Sequence, residues 1–240
     1  MINLILVRHG QSQWNLENRF TGWYDAALTK AGVEEAEKAG SLIKSLGLKF
    51  NYGFTSYQTR AIKTFEAILE TSNIEISNVI KAWQLNERHY GGLQGLNKEE
   101  TAKKHGMEQV MIWRRSYDTP PPPQNKNDPE HPVNSKLYKD IDPKLIPDCE
   151  SLKDTYERAV PYYDQHIEPL LKKSENVLIS AHGNSLRALC KKILEISDEM
   201  IVKLEIPTGN PIHIQFEKNL KLKNCKYLDQ ARAKNFIIKK

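Results

Sequence analysis

The sequence predicts an α/β fold built on a mostly parallel sheet, with a ligand site at the carboxyl ends of its strands. Two short apolar runs, Leu4 to Val7 and Val177 to Ile179, suit strands that are buried on both faces. Segments with helical periodicity lie between the candidate strands. Both apolar runs lead into a His-Gly pair, at residues 9–10 and 182–183. Ligands of open α/β sheets bind outside the carboxyl ends of the strands, so the two His-Gly pairs are the first candidates for a functional site.

Length and composition are those of one globular domain spanning residues 1–240. The net charge of +5 comes from basic residues that are mixed with acidic ones, which argues against a nucleic-acid partner. The three cysteines are far apart and odd in number, which favours a reducing cytoplasm over a disulfide framework. No run of 18 apolar residues and no signal-peptide pattern occurs. We therefore expect a soluble, cytoplasmic protein without a membrane partner.

The first half of the chain alternates strands and helices. A helix is expected from Thr29 to Leu46, with Thr29 as its cap and Gly47 as its stop. A second strand is expected from Phe50 to Thr55, followed by a helix from Tyr57 to Glu70. Arg60 falls in the first turn of that helix, where its charge opposes the helix dipole. This placement makes sense if an anion binds between the helix and the guanidinium; the alternative is an exposed surface arginine.

A third strand is expected from Val79 to Trp83, leading into a loop that carries Glu87. Three glycines within five residues of this loop indicate tight turns at 91–95. Two helices should follow, from Asn97 to about Lys104 and from Met107 to Arg115.

From 116 to 149 the composition changes to a proline-rich segment that includes four consecutive prolines, and regular helix or central strand is excluded there. We interpret it as an insertion in one domain, either a disordered linker or a functional lid.

A helix from Glu150 to about Lys173 should be kinked or broken at Pro161. The strand before His182 precedes a helix over 185–194, a further helix at about 198 and a late strand at 212–216. The basic segment from Cys225 onward is interpreted as a tail that is mobile from about 226.

The residues at the strand ends point to phosphoryl transfer. A neutral imidazole such as that of His9 can attack phosphorus and form a phosphoramidate, which divides the transfer into two easier steps. Arginines such as Arg8 and Arg60, with a second imidazole at His182, can stabilise the charge on the transferring group. The carboxyl group of Glu87 can exchange a proton with the substrate oxygen. This chemistry needs no metal, and none of the other histidines has a metal-ligand spacing.

Arg8-His9-Gly10 resembles the signature of the histidine phosphatase superfamily. Further motifs are similar to those of its cofactor-dependent phosphoglycerate mutases: Ser-Gln-Trp-Asn at 12–15, Asn-Arg-Phe-Thr-Gly-Trp at 18–23, Leu-Asn-Glu-Arg-His-Tyr-Gly at 85–91, Leu-Gln-Gly-Leu-Asn-Lys at 93–98, Trp-Arg-Arg at 113–115, Ala-His-Gly-Asn-Ser-Leu-Arg at 181–187 and Ile-Pro-Thr-Gly at 206–209. The resemblance covers the chain to about residue 230. It implies a three-layer α/β/α architecture with helices on both faces of the sheet.

The resemblance also implies a role for each matching residue. His9 is expected to be the phosphorylated nucleophile, and Glu87 the proton donor and acceptor. The side chains expected to hold the transferring phosphoryl group are Arg8, Asn15, Arg60 and His182, assisted by Gly183 and Asn184. Those expected to hold the carboxylate and the second phosphate are Tyr90, Lys98, Arg114 and Arg115. The other expected substrate contacts are Gly10, Gln11, Ser12, Thr21, Gly22, Arg88 and His89.

The activity that the resemblance implies is a glycolytic isomerisation of 3-phosphoglycerate and 2-phosphoglycerate through a phosphohistidine, primed by 2,3-bisphosphoglycerate and independent of metal. The alternatives are a phosphatase on the same scaffold, in which water accepts the phosphoryl group, and bisphosphoglycerate mutase activity. A non-catalytic phosphate sensor would require the loss of His9 or Glu87, and both are present. The resemblance further suggests a homodimer or homotetramer and a tail that closes over the site.

Overall fold

A computed structural model describes residues 1–233 and contains a sheet of six strands within them. The strands lie in the order β3-β2-β4-β1-β5-β6. Their bounds are β1 Ile2–Arg8, β2 Tyr52–Thr55, β3 Asn78–Lys81, β4 Val177–Ala181, β5 Ile212–Phe216 and β6 Leu222–Tyr227. The first four are mutually parallel, and β5 and β6 are antiparallel additions at one edge. The mostly parallel sheet is therefore confirmed.

The α-helices are α1 Gln13–Leu16, α2 Lys30–Lys44, α3 Thr59–Ser72, α4 Lys98–His105, α5 Met107–Arg115, α6 Leu152–Tyr162, α7 Glu168–Lys172, α8 Gly183–Ile193 and α9 Asp198–Ile201. The expected cap Thr29 accepts a hydrogen bond from the first turn of α2. Asn97, which was expected to begin a helix, is the cap of α4 and accepts from its first turn. The expected break at Pro161 is also confirmed. Tyr163–Ile167 forms a π-helical segment between α6 and α7, beginning two residues after the proline that lacks an N–H.

Alternate side chains of β1 enter two different cores, which confirms the three-layer architecture. Leu4 and Leu6 join the core on the α6 and α8 side. Ile5 and Val7 join the core that α2 and α3 cover on the opposite face. Since side chains of a strand alternate between the faces of its sheet, β1 must be covered on both faces, as its continuous apolar run predicted.

The proline-rich segment is folded onto the body of the protein, so the disordered-linker alternative does not hold. Short 3-10 turns at Pro132–Asn134, Lys136–Tyr138 and Pro143–Leu145 satisfy part of its backbone. Tyr138 packs in a cluster with Trp23, and its hydroxyl donates to the carbonyl of Trp23 across 2.9 Å. The segment therefore supports the loop that precedes Asp25.

The first part of the expected tail, residues 226–233, is folded onto the body of the protein. Residues 222–227 form β6, a strand that sequence analysis missed because its pattern is polar and its pairing is backbone hydrogen bonding to β5. Beyond it, the backbone N–H of Asp229 donates to Oδ1 of Asn210, and the carboxylate of Asp229 accepts from Lys38. Arg232 donates to the carbonyl of Thr208. The remainder of the expected tail, residues 234–240, lies outside the described residues.

No helix within 1–233 is long and apolar enough to cross a membrane.

Candidate active site

The two His-Gly pairs lie side by side because β1 and β4 are adjacent parallel strands. Arg8 pairs with Ala181 in the ladder, and the N–H of His9 donates to the carbonyl of Ala181 across 2.9 Å. The imidazole centroids of His9 and His182 are 4.9 Å apart, and both rings are buried. The register of the sheet therefore sets the distance between the two histidines.

Hydrogen bonds fix the tautomer of His9. Its Nδ1 lies 2.7 Å from the carbonyl oxygen of Gly10, which can only accept, so Nδ1 carries the proton. Its Nε2 accepts a hydrogen bond from Nε of Arg60 across 3.3 Å, so Nε2 carries the lone pair. Burial and then the charges of Arg60 and Arg8 lower the pKa of His9 well below its ordinary value. The imidazole is therefore neutral, and its Nε2 lone pair is available to attack phosphorus.

Arg60 is a buried arginine and not the exposed surface residue of the alternative interpretation. Only 1% of its surface is exposed. Its two terminal nitrogens donate to the carbonyls of Tyr24 and Gly22, at 2.8 and 2.9 Å. Gly22 has a φ of +56°, a left-handed conformation that favours glycine and turns its carbonyl toward the guanidinium. The Gly22 loop thus holds Arg60 against His9.

One ring nitrogen of His182 has a hydrogen-bond partner and the other has none among residues 1–233. Its Nε2 lies 2.8 Å from the hydroxyl oxygen of Ser56, just beyond the end of β2. Its Nδ1 is buried and has no hydrogen-bond partner among residues 1–233. Burial and the charge of Arg60 lower the pKa of His182 well below its ordinary value. A neutral His182 that accepts from Ser56 carries its proton on Nδ1.

Glu87 is a buried carboxylate held by two backbone N–H groups. Its Oε1 accepts from Arg88 across 2.8 Å and from Asn184, in the first turn of α8, across 3.0 Å. Burial alone would raise the pKa of Glu87, but these N–H groups and the charges of Arg8 and Arg60 outweigh it and lower the pKa. Glu87 is therefore ionised and can accept a proton from a substrate hydroxyl.

A cavity of about 180 Å³ is lined by His9 and is strongly cationic. Seven cationic side chains and one carboxylate, that of Glu87, line it. The lining residues that the sequence predicted are Arg8, His9, Asn15, Thr21, Arg60, Glu87, Tyr90, Lys98, Arg114, Arg115, Gly183 and Asn184. His182 lies behind this lining, against His9. The arrangement suits a small ligand with more than one anionic group.

The first three residues after His9 do not line the cavity, although all were expected to contact substrate. Gly10 packs against Gly32 of α2 so closely that an added Cβ would lie 2.0 Å from the Gly32 carbonyl oxygen. Gln11 donates its N–H to Glu35, and Ser12 caps α1. Their interactions hold β1 against α2 and orient α1, which carries Asn15.

Gly22, Arg88 and His89 also lie outside the lining. Gly22 acts through its carbonyl, which holds Arg60. Arg88 is fully buried and lies 4.5 Å from the centre of the Tyr90 ring, so it supports that tyrosine from behind. Burial, then the charges of His131 and Arg158, lower the pKa of His89 to about 3. The neutral ring of His89 accepts the N–H of Gly91 at Nδ1.

Sequence analysis missed three residues that line the cavity, Arg19, Phe20 and Arg187. Arg187 lies four residues after Gly183 on α8, so both face the same side of the helix. Burial and the charges of Arg115 and Arg8 lower the pKa of Arg187 to about 10, which leaves it cationic at neutral pH. The helical spacing from Gly183 is the signal that could have identified it.

Within the part of the chain that the structure describes, no group of three or more His, Cys, Asp or Glu side chains is arranged to hold a metal ion.

The fold and the paired histidines define a class of protein. The model of the histidine phosphatase superfamily (branch 1) matches residues 4–224, and the chain belongs to this family. Two relatives, from Pelagibacter ubique and from a Hydrogenobaculum strain, are each named 2,3-bisphosphoglycerate-dependent phosphoglycerate mutase. The first is 51% identical over 99% of this chain and 100% of its own length, and the second is 53% identical over 99% and 96%. The resemblance noted from the motifs is confirmed.

A solved structure of mycobacterial glucosyl-3-phosphoglycerate phosphatase has the same fold, with a TM-score of 0.70. It is 18% identical, and the match covers 95% of this chain and 97% of that one. At that identity the likeness concerns the fold alone.

Proposed function

We propose that this protein is a phosphoglycerate mutase that depends on 2,3-bisphosphoglycerate. It interconverts 3-phosphoglycerate and 2-phosphoglycerate, a step of glycolysis, through a phosphohistidine at residue 9. The chain's identity of just over half to the relatives named for this activity, over nearly the full length of both, supports the assignment.

One observation in the site carries the proposal: two groups of cationic side chains line one cavity together with a single carboxylate, that of Glu87. The first group is Arg8 and Arg60, whose charges act on both His9 and Glu87, and a transferring phosphoryl group would lie among them. The second group is an anion wall, which we define as Tyr90, Lys98, Arg114 and Arg115; these side chains interact with one another through their charges. A phosphoglycerate carries a carboxylate and a phosphate, so it needs a second anion site beyond the one at the nucleophile.

The chain's own groups then have the following tasks. Nε2 of His9 attacks phosphorus, while Nδ1 keeps its proton and donates it in a hydrogen bond to the Gly10 carbonyl, so the ring need not lose a proton before attack. Arg8 and Arg60 stabilise the charge on the phosphoryl oxygens, and His182 packs against His9 behind the cavity lining. Glu87 takes the proton of the hydroxyl that receives the phosphoryl group and returns it to the oxygen that loses one.

The cavity fits the priming cofactor that the names of the relatives imply. Its seven cations exceed what one phosphate needs, and only Glu87 opposes them. Arg8 and Arg60 would hold one phosphate of 2,3-bisphosphoglycerate, and Arg114 and Arg115 the other. When bound, this molecule would supply the phosphoryl group that first loads His9.

The assay that tests the proposal uses the pure protein with 3-phosphoglycerate, EDTA and a trace of 2,3-bisphosphoglycerate. We expect 2-phosphoglycerate as the main product and undiminished activity in EDTA. Free phosphate as the main product would replace the mutase with a phosphatase on the same scaffold. Accumulation of bisphosphoglycerate would indicate the neighbouring synthase activity, and loss of activity in EDTA would contradict the metal-independent mechanism.

We also propose that the protein is a cytoplasmic homodimer or homotetramer. The cysteines within the described residues are unpaired, which supports a reducing compartment. The edge strand β3 is exposed along its whole length and includes Val79 and Ile80, which supports self-association. Light scattering of the purified protein would give the number of subunits.

A further inference from the structure

A buried ion pair behind the site has no part in the chemistry described so far. Arg158 of α6 and Glu150, the last residue before the helix cap, have side chains that are 7% and 3% exposed. Nε and one terminal nitrogen of Arg158 donate to the two carboxylate oxygens of Glu150, at 2.7 and 2.8 Å. Neither residue lines the catalytic cavity.

The guanidinium of Arg158 also donates to main-chain carbonyls of the loop that carries Glu87. One terminal nitrogen donates to the carbonyl of Gln84 across 2.7 Å. The other lies 3.3 Å from the carbonyl of Glu87 itself. The guanidinium also lies over the rings of Trp23 and Trp83. Arginine is suited to this task because its rigid fork presents five donors at fixed angles.

Glu150 holds the same loop from its other end. Its Oε2 accepts the N–H of His89 across 2.8 Å, and its own N–H donates to the carbonyl of His89 across 2.8 Å. The N–H of Glu87 is taken by Oε1 of Gln58 at 2.8 Å. The main chain from Gln84 to His89 is therefore fixed by buried polar side chains instead of by a strand or helix.

The conformation of this loop decides the environment of the Glu87 carboxylate. One of the two N–H groups on Oε1 belongs to Arg88, in the loop itself, and the other to Asn184, in α8. Oε1 can accept from both only while the loop stays at its present distance from α8. A shift of the loop would weaken one bond and move the carboxylate relative to the substrate hydroxyl.

We propose that Arg158 and Glu150 are positioning residues that set the place and protonation of Glu87 for proton transfer, and so link the end of the proline-rich segment to catalysis. The inference rests on the proposed function, because it requires Glu87 to exchange a proton with a phosphoglycerate. Neither residue touches the reacting atoms.

The test uses Arg158→Lys in the full-length protein. Lysine keeps the charge opposite Glu150, so no unpaired charge is buried, but a single nitrogen cannot reach both Glu150 and the loop carbonyls. We expect kcat to fall roughly 10- to 100-fold while KM for 3-phosphoglycerate changes less than about twofold, since the anion wall is untouched. Glu150→Gln should likewise lower kcat and leave KM for 3-phosphoglycerate nearly unchanged.

A pH profile separates positioning from mere stability. Glu87 accepts its proton as a carboxylate, so activity is lost as pH falls through its pKa. A loosened loop weakens the N–H contacts that hold the pKa down, so the acid limb of kcat/KM should move upward by about half a pH unit or more. The other titratable and charged groups that face Glu87 are unchanged in the variant: Arg8, Arg60, Tyr90, Lys98 and Arg187.

Leu171→Ala is the matched control. Leu171 is fully buried on α7, in the same layer as α6, and its truncation should destabilise the protein without touching the loop. At a temperature where both variants are folded, Leu171→Ala should keep the wild-type kcat and acid limb. If it reproduces the changes seen in Arg158→Lys, the ion pair contributes stability only.

A double-mutant cycle with Glu87→Gln gives the decisive comparison. If Arg158 acts through the Glu87 carboxylate, Arg158→Lys should lower the residual rate of Glu87→Gln by less than about twofold. An equal fractional loss in both backgrounds would overturn the proposal. A wild-type protein that does not interconvert phosphoglycerates would instead overturn the proposed function, so the two failures are distinguishable.

Discussion

Nε of Arg60 donates a hydrogen bond to Nε2 of His9 across 3.3 Å. An arginine nitrogen cannot accept, so this contact exists only while Nε2 of His9 is unprotonated. The same guanidinium charge lowers the pKa of His9. In this structure Arg60 therefore keeps His9 neutral, which is the state that the proposed nucleophile requires.

His9→Ala should abolish acid-labile labelling of the protein by 2,3-bisphosphoglycerate that carries ³²P on its phosphates. No other imidazole within the described residues combines a fixed Nε2 lone pair with a place on the cavity wall. The label is measured after denaturing gel electrophoresis, with and without mild acid. His166→Gln, a change at an exposed histidine, is the control and should label fully. Labelling retained in His9→Ala would move the nucleophile to another residue.

Arg114→Met should raise KM for 3-phosphoglycerate by roughly 10- to 100-fold, because a charge-assisted hydrogen bond to a substrate anion is worth about 1.5–3 kcal/mol. Labelling of His9 at saturating 2,3-bisphosphoglycerate should persist, since Arg114 belongs to the anion wall and not to the phosphoryl site. Lys103→Met removes an equal charge from an exposed position of α4 and should leave KM unchanged. If the two substitutions raised KM equally, the effect of Arg114 would come from general electrostatic attraction and not from a specific contact with the substrate.

The buried histidines should make the protein less stable in mild acid. His89 has a folded pKa of about 3 and an unfolded pKa of about 6.5. Because the unfolded chain binds the extra proton, stability is full above about pH 6.5 and is lost as pH falls toward 3.

The slope from His89 should be about 1.4 kcal/mol per pH unit in the free energy of unfolding. His89→Asn keeps an acceptor for the N–H of Gly91 but does not titrate. The free energy of unfolding of this variant should therefore fall less steeply with decreasing pH than that of the wild type, by about 1.4 kcal/mol per pH unit. Urea unfolding between pH 6.5 and 5 measures the slope before most carboxylates titrate. Identical slopes for the wild type and the variant would mean that His89 is protonated in the folded state.

Gly10→Ala should destabilise the fold by about 3 kcal/mol or more, because a Cβ at this position would lie 2.0 Å from a backbone oxygen of α2. Neither β1 nor α2 can yield without moving the histidine or the helix. Gly92→Ala is the matched control, since its added Cβ would lie 3.4 Å from its nearest neighbour. Thermal unfolding compares them, and similar midpoints would show that the strand–helix contact can relax.

The sequence alone determined the architecture and predicted the candidate nucleophile within it. A strand that is apolar at every position must be covered on both faces, so Leu4 to Val7 predicted a parallel central strand, and its end predicted the place of His9. Local signals such as the Thr29 cap and the break at Pro161 also predicted helix bounds, because caps and breaks depend on neighbouring residues.

The tertiary structure decided which residues support the site from a distance. β6 has a polar pattern and depends on pairing with β5, so no local signal marks it. Arg88 and His89 follow Glu87 in the chain, yet the turn of the loop directs them away from the cavity. Arg158 is 71 residues from Glu87 in sequence and holds its carbonyl, a contact created by the packing of α6 against the loop. Sequence patterns report which faces are buried, whereas contacts between distant segments exist only once the layers have packed.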